Sequence, residues 1–172
     1  MKDKVSQPIQ EELSKVVDLE SDEIILRSMN ASTFSFESWV EGASIPKIEW
    51  IFKTGLGFGP IHGLDGIKDG VLVLTNKRIV FLRSKGMREG VTLWKSHHYE
   101  IEHSVDCRDI LDVNVKKNFL RVFYRDDTGV DVLILGGFHE MDPVNPGLES
   151  LVQTIDASEV AREINEYRSV PR

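Results

Sequence analysis

The sequence predicts a mainly β, α+β fold: an antiparallel barrel or split barrel of about seven strands, closed by a C-terminal amphipathic helix and preceded by an N-terminal helical arm. Three observations carry this reading. Short apolar runs separated by turn residues recur from Gly70 to Leu135, the pattern of successive hairpins. Among them, GVLVLTNKRIVFL places two apolar runs on either side of Asn76-Lys77, as a tight antiparallel turn requires. After Asp156 the period becomes helical, with Val160, Ala161, Ile164 and Tyr167 on one face.

Residues 1–20 read as the arm. In QPIQEELSKVVD, Ile9, Leu13, Val16 and Val17 lie at helical spacing, and Pro8 suits a first turn. Residues 21–172 read as one domain, with 33–69 an insertion between strands one and two. The first strand is expected from Asp22 to Ser32. The insertion holds Trp39 and Trp50, short strands expected over Phe36 to Glu41 and Lys47 to Lys53, and then the glycine-rich KTGLGFGPIHGLDG. Strands two and three form the hairpin. The fourth is expected over Ser96 to His103 and the fifth over Asp109 to Lys116. Lys117-Asn118 then turns into a sixth, Phe119 to Arg125, and Asp126-Asp127-Thr128-Gly129 into a seventh, Val130 to Leu135. Past Gly136-Gly137 a helix is expected to start near Asn145-Pro146-Gly147, with Leu148, Leu151, Val152 and Ile155 on one face. Asp156 and Glu159 have capping-box spacing for the last helix.

With Asn76-Lys77 as a two-residue turn, Thr75 faces Arg78, Leu74 faces Ile79, Val73 faces Val80 and Leu72 faces Phe81. Such a turn calls for positive φ, which Asn tolerates. In this register Leu72, Leu74, Ile79 and Phe81 share one face and Val71, Val73, Val80 and Leu82 the other, so the hairpin is apolar on both sides. An antiparallel sheet with one wet face would alternate instead. The second face therefore needs a cover: the 33–69 segment, a helix or another subunit. Val71, Val73, Val80 and Leu82 are the candidate interface residues.

At 172 residues, 41% hydrophobic and 28% charged, the chain can bury a core without disulfides or metals. Its net charge of −7 argues against general nucleic-acid binding. No apolar run approaches the roughly 18 residues of a spanning helix. The opening MKDKVSQPIQEEL mixes both charges and reads as no secretory signal. Cys107 is the only cysteine, so a reducing, cytoplasmic location is expected. The net charge hides an asymmetry. Residues 1–69 carry 7 basic and 12 acidic side chains, 70–125 carry 11 and 6, and 126–172 carry 3 and 10. This basic island either pairs with its acidic flanks or faces an anion.

The phrase DGVLVLTNKRIVFL, followed by YEI and DILDV, resembles the bacterial PH domains and GRAM-like members of the pleckstrin-homology superfamily. In that family a Gly-x-Leu-x-Leu-Thr-x-x-Arg-Ile/Leu-x-Phe hairpin forms the second and third strands. The resemblance runs from Asp22 to Thr33 and from Asp69 to Tyr167. It implies a PH-like barrel capped by the C-terminal helix. The long 33–69 segment departs from the plain family pattern, as does a first strand with Arg27 as its only nearby basic residue.

Several groups of residues invite a chemical reading. GLGFGPIHG is not a phosphate loop, because Pro60 and His62 stand where a cradling helix would begin. His97, His98, Glu100, Glu102, His103 and Cys107 are metal-ligating types, but strand alternation points the histidines to opposite faces, so no metal is expected. Cofactors are likewise not expected. A nucleophilic Cys107 assisted by His103 is the enzymatic alternative, with no local motif behind it. The basic candidates for an anionic ligand are Lys77, Arg78, Arg83, Lys85, Arg88, Lys116, Lys117 and Arg121. Arg121 and Arg125 share a strand face with Phe119 and Phe123, and with Val130, Val132 and Ile134 if the four-residue turn is right. The expected function is a non-catalytic binding or scaffold module working through protein contacts, foremost self-association. Binding of anionic lipid headgroups through the basic segment 77–125 is the alternative.

Overall fold

The computed structural model describes residues 13–34, 67–84, 99–116, 118–141 and 153–169. Seven strands form one antiparallel sheet: β1 (Ile25–Phe34), β2 (Ile67–Thr75), β3 (Arg78–Ser84), β4 (Tyr99–Asp106), β5 (Ile110–Lys116), β6 (Phe119–Asp126) and β7 (Gly129–His139). Residues 13–17 are helical (α1), and Ala157–Arg168 form the C-terminal helix α2. The strand order is β4-β3-β2-β1-β7-β6-β5, so β4 and β5 are the edges, joined in sequence by the 3-10 turn Cys107–Asp109. No pairing closes β4 onto β5 among the described residues. The result is a split barrel, mainly β and consistent with a PH-like fold.

The inward faces converge on one core, which includes Met29, Leu72, Phe81, Leu120, Leu135 and Phe138. Helix α2 packs on β5, β6 and the 3-10 turn and contributes Val160, Ala161 and Ile164 to that core. Its first turn is capped by Asp156, whose side chain accepts from the Ser158 amide at 2.7 Å. Glu159 does not complete a capping box. It bonds Arg27 on β1 at 3.1 Å instead.

The hairpin register is as predicted, with Leu74 opposite Ile79, Val73 opposite Val80 and Leu72 opposite Phe81. Its turn works differently from expectation. Asn76 and Lys77 do not adopt positive φ. The Thr75 hydroxyl accepts from the amides of Lys77 (3.1 Å) and Arg78 (2.9 Å). Asn76 spends its side chain on the approach to β1: Oδ1 accepts from Ile24 N at 2.9 Å, and Nδ2 donates to Asp22 O at 3.0 Å.

The β5–β6 and β6–β7 hairpins match expectation, with Lys116 opposite Phe119, Arg121 opposite Ile134 and Phe123 opposite Val132. The first strand begins three residues later than expected, at Ile25, while residues 96–98 of the expected fourth strand lie outside the described residues. The seventh runs on through Gly136-Gly137 to His139 rather than ending at Leu135. Two features carry it past the glycines. Gly137 takes positive φ (63°) where the register with β1 shifts, a bulge that bends the strand without ending it. At Gly136 a Cβ would lie 3.1 Å from Phe119 and 3.3 Å from Phe34, so the missing side chain makes room for their edge-to-face contact, centroids 5.1 Å apart.

Ile155, expected at the end of a helix, follows an extended stretch in which Thr154 bridges to His139. The rest of that expected helix, the expected strands around Trp39 and Trp50, and residues 1–12 of the arm lie outside the described residues. No helix among the described residues is long and apolar enough to cross a membrane.

Candidate functional site

The hairpin tip meets the N-terminal segment in an electrostatic latch. Helix α1 stops at Asp18, which takes the left-handed conformation (φ 53°). Its last carbonyls are then capped from outside: Arg78 Nη2 donates to Val17 O at 2.9 Å and Asp18 O at 3.1 Å. The same guanidinium grips Glu23 in a fork, Nε to Oε1 at 2.8 Å and Nη2 to Oε2 at 3.1 Å. Thr75 Oγ1 donates to Glu23 Oε1 at 2.7 Å. Burial pushes the Glu23 carboxyl up, but the hydrogen bonds from Arg78, Thr75 and the Glu20 amide, with the Arg78 charge, hold it below the ordinary glutamate range. Beside it Lys77 Nζ bonds Glu20 at 2.5 Å and also Asp22. The two cations that open the basic island are thus taken up by five residues of the acidic N-terminal segment, Val17, Asp18, Glu20, Asp22 and Glu23.

The latch holds a cover in place. Leu13 and Val17 of α1 lie on Val71, Val73, Val80 and Leu82, with Val16, Leu19, Ile25, Tyr99 and Met141 at the margin. All four candidate interface residues are at most 1% exposed. Among the described residues, the chain's own N-terminal helix is the cover on this face, and these four side chains are buried beneath it.

A second long-range cluster ties the first strand to the acidic C-terminal third. Arg27 bonds Glu140 at 2.6 Å, Glu159 at 3.1 Å and Glu163. This one arginine fixes the end of β7 and the first two turns of α2 to β1. Arg27 itself belongs to the acidic first segment, so this cluster joins the two acidic segments, and the basic middle segment meets an acidic flank through Lys77 and Arg78 on Glu20, Asp22 and Glu23.

Of the remaining basic candidates, Arg83, Lys116 and Arg121 are among the described residues, with Arg83 on β3 and the other two on one face of β5 and β6. Arg83 is exposed at the end of β3, opposite Glu100 of β4. Near it Lys68 pairs with Glu102, which lowers that carboxyl's pKa. His103 is half buried there, and burial lowers its pKa, against the opposing pull of Glu102. Among the described residues, Glu100 and Glu102 match Arg83 and Lys68 at this corner. Lys116 is exposed at the end of β5. Arg121 Nε donates to Asn114 Oδ1 at 2.7 Å, and its guanidinium lies 5.7 Å from the centre of the Phe123 ring. Lys85, Arg88 and Lys117 lie outside the described residues, as do His97 and His98. Phe119, expected beside Arg121 on an aromatic and cationic surface, is buried against Phe34.

His103 and Cys107 are not brought together. Three residues lie between them along the end of β4, a path of roughly 13 Å where the backbone is extended. Cys107 is buried in the core. No group of three metal-ligating side chains converges among the described residues.

The surface the sequence did not single out is the sheet edge. On β4 the register shifts at Glu102, a bulge that interrupts the edge in mid-strand. On β5 the irregularity lies at Leu111, near the start, and Asp112 to Lys116 then pair with β6 without a break. Leu111 (42% exposed), Asp112 and Lys116 all face solvent there. No described strand lies on the outer side of β5. The sequence signal was the break in alternation at Ile110-Leu111, two apolar residues in succession at the strand's start.

Comparison with known proteins adds only structural likenesses. No protein-family model matches the chain, and no curated protein matches it. Among solved structures, the chain is similar to the C-terminal domain of an unknown protein from Leishmania infantum, at 16% identity over 76% of this chain and 84% of that one, with a TM-score of 0.41. It is also similar to the PDZ-RhoGEF DH/PH domains in complex with activated RhoA, at 12% identity and a TM-score of 0.44, covering 95% of this chain and 34% of that one. A third is the hSac2 domain of the human phosphoinositide phosphatase Sac2, at 11% identity over 96% and 85% of the two chains, with a TM-score of 0.42. The chain spans about a third of the PDZ-RhoGEF chain. Likenesses at this level assign neither a ligand nor an activity.

Proposed function

We propose that this protein is a non-catalytic, PH-like binding module that acts through protein–protein contact, with β5 as its docking strand. The observation that supports this reading is the regular outer edge of β5 from Asp112 to Lys116, flanked by the exposed Leu111. An edge strand presents a row of main-chain donors and acceptors to which an extended segment can add, while neighbouring side chains select it. Edge β4 is the poorer platform, since its bulge at Glu102 divides the ladder.

Anionic headgroup binding through the basic segment 77–125 is the competing reading. It would have to proceed without Lys77 and Arg78, which Glu20, Asp22 and Glu23 already engage. Among the described residues of that segment, Arg83, Arg108, Lys116 and Arg125 are its exposed cations.

The test is selection of extended peptides from a displayed random library, with bound peptides located by amide chemical-shift changes. Changes concentrated on Ile110–Lys116 are expected. The reading fails if peptides map elsewhere, or if none bind while vesicles rich in acidic phospholipid do.

A further inference from the structure

Resting on that reading of β5, we infer that the segment which adds to this edge is β5 of a second copy, paired antiparallel about a two-fold axis at Asn114. Closed two-fold dimers are the commonest homo-oligomers, and their interfaces must be self-complementary. The β5 edge meets that condition in one register.

A two-fold axis perpendicular to the sheet keeps each face on its own side. Opposed residues must therefore point the same way, which permits only registers centred on a residue. The available ladder is bounded by the irregularity at Leu111 and by the turn after Lys116, leaving Asp112, Val113, Asn114, Val115 and Lys116. An axis at the midpoint, Asn114, uses all five. It sets Asp112 opposite Lys116 of the other copy, Val113 opposite Val115, and Asn114 opposite itself. Each charge pair and each valine pair then occurs twice by symmetry. Opposite charges and β-branched residues in directly facing positions are the favourable cross-strand combinations.

The neighbouring registers lack this match. Centring on Asp112 opposes two aspartates, and centring on Lys116 opposes two lysines, both repulsive. Centring on Val113 leaves Asp112 against Asn114 and brings Ile110 against Lys116. Asp112 and Lys116 are both exposed, so reaching across the axis requires no rearrangement of the core. Asn114 is already held between Asp112, to which its Nδ2 donates at 2.8 Å, and Arg121. The row that meets its twin is thus ordered before the copies meet. Five residues a side make a small contact, so the dimer forms at high protein concentration and weakens with added salt.

Sedimentation equilibrium across protein concentration tests this on the full chain and on D112K, K116D and the double variant D112K/K116D. By symmetry each single reversal turns two attractive pairs into two repulsive ones. The expected result is at least about tenfold weaker association for each single variant, and recovery to within about threefold of the parent for the double variant. Unchanged thermal unfolding of the variants would exclude misfolding as the cause. A parent chain that stays monomeric at millimolar concentration overturns the inference, as does association indifferent to the reversals. If the monomeric chain still binds library peptides along Ile110–Lys116, the second copy is ruled out while the docking edge stands. If neither a second copy nor a peptide engages β5, both fall.

Discussion

Arg78 and Glu23 meet in a two-pronged pair, Nε to Oε1 at 2.8 Å and Nη2 to Oε2 at 3.1 Å, with the Glu23 side chain fully shielded from solvent. From this pair the guanidinium also reaches the last carbonyls of α1. An arginine that looks in sequence like part of a basic patch is the joint that fastens the N-terminal helix to the hairpin.

Replacing Arg78 by Ala should destabilise the fold by about 3–5 kcal/mol, because Glu23 is left buried and uncompensated. Lysine should rescue little. It cannot fork onto the carboxylate and bond the Val17 and Asp18 carbonyls at once. Urea unfolding of the three proteins measures both effects.

Acid should weaken the latch. The folded-state pKa of Glu23 lies below the ordinary 4.5, so its contribution is complete above about pH 4.5 and is lost as the pH falls through the folded value. In E23Q that contribution is absent at every pH. The stability gap between the parent and E23Q should therefore be constant near neutrality and close below pH 4.5. A gap that widens on acidification would contradict the assignment.

The outward hairpin face should behave as core. Leu82→Ala is expected to cost about 2–5 kcal/mol, although sheet alternation alone would make it a surface change. Val17→Asp should be comparably damaging, since it places a carboxylate in the same layer. Chemical denaturation measures both.

Gly136→Ala should cost about 1–3 kcal/mol through overpacking against Phe119 and Phe34. Pairing it with Phe119→Leu, which opens space beside the new methyl group, should recover part of the loss. Thermal unfolding of the single and double variants reads the coupling.

Local chemistry made much of this fold legible. The β2–β3, β5–β6 and β6–β7 registers follow from turn spacing and apolar runs, and α2 follows from its period and Asp156. What escaped depends on contacts between residues distant in the chain. Asn76 tolerates positive φ, yet the amide of Ile24, 52 residues away, claims its side chain and the turn needs no such φ. Gly136-Gly137 signals an ending, but β1 pairs through the bulge and carries β7 onward. The basic island was visible as a count of charges. That Lys77 and Arg78 are spent on Glu20, Asp22 and Glu23 could be seen only once the N-terminal segment was folded against the hairpin. The edge character of β5 is likewise a property of strand order, which no local pattern encodes.

Amide hydrogen exchange of β5 and β4, compared at low and high protein concentration, tests the docking edge most directly. Outward-pointing amides within Asp112–Lys116 should become protected as concentration rises, while those of Tyr99–Asp106 remain unchanged. Equal exchange at both edges at every concentration would contradict the account.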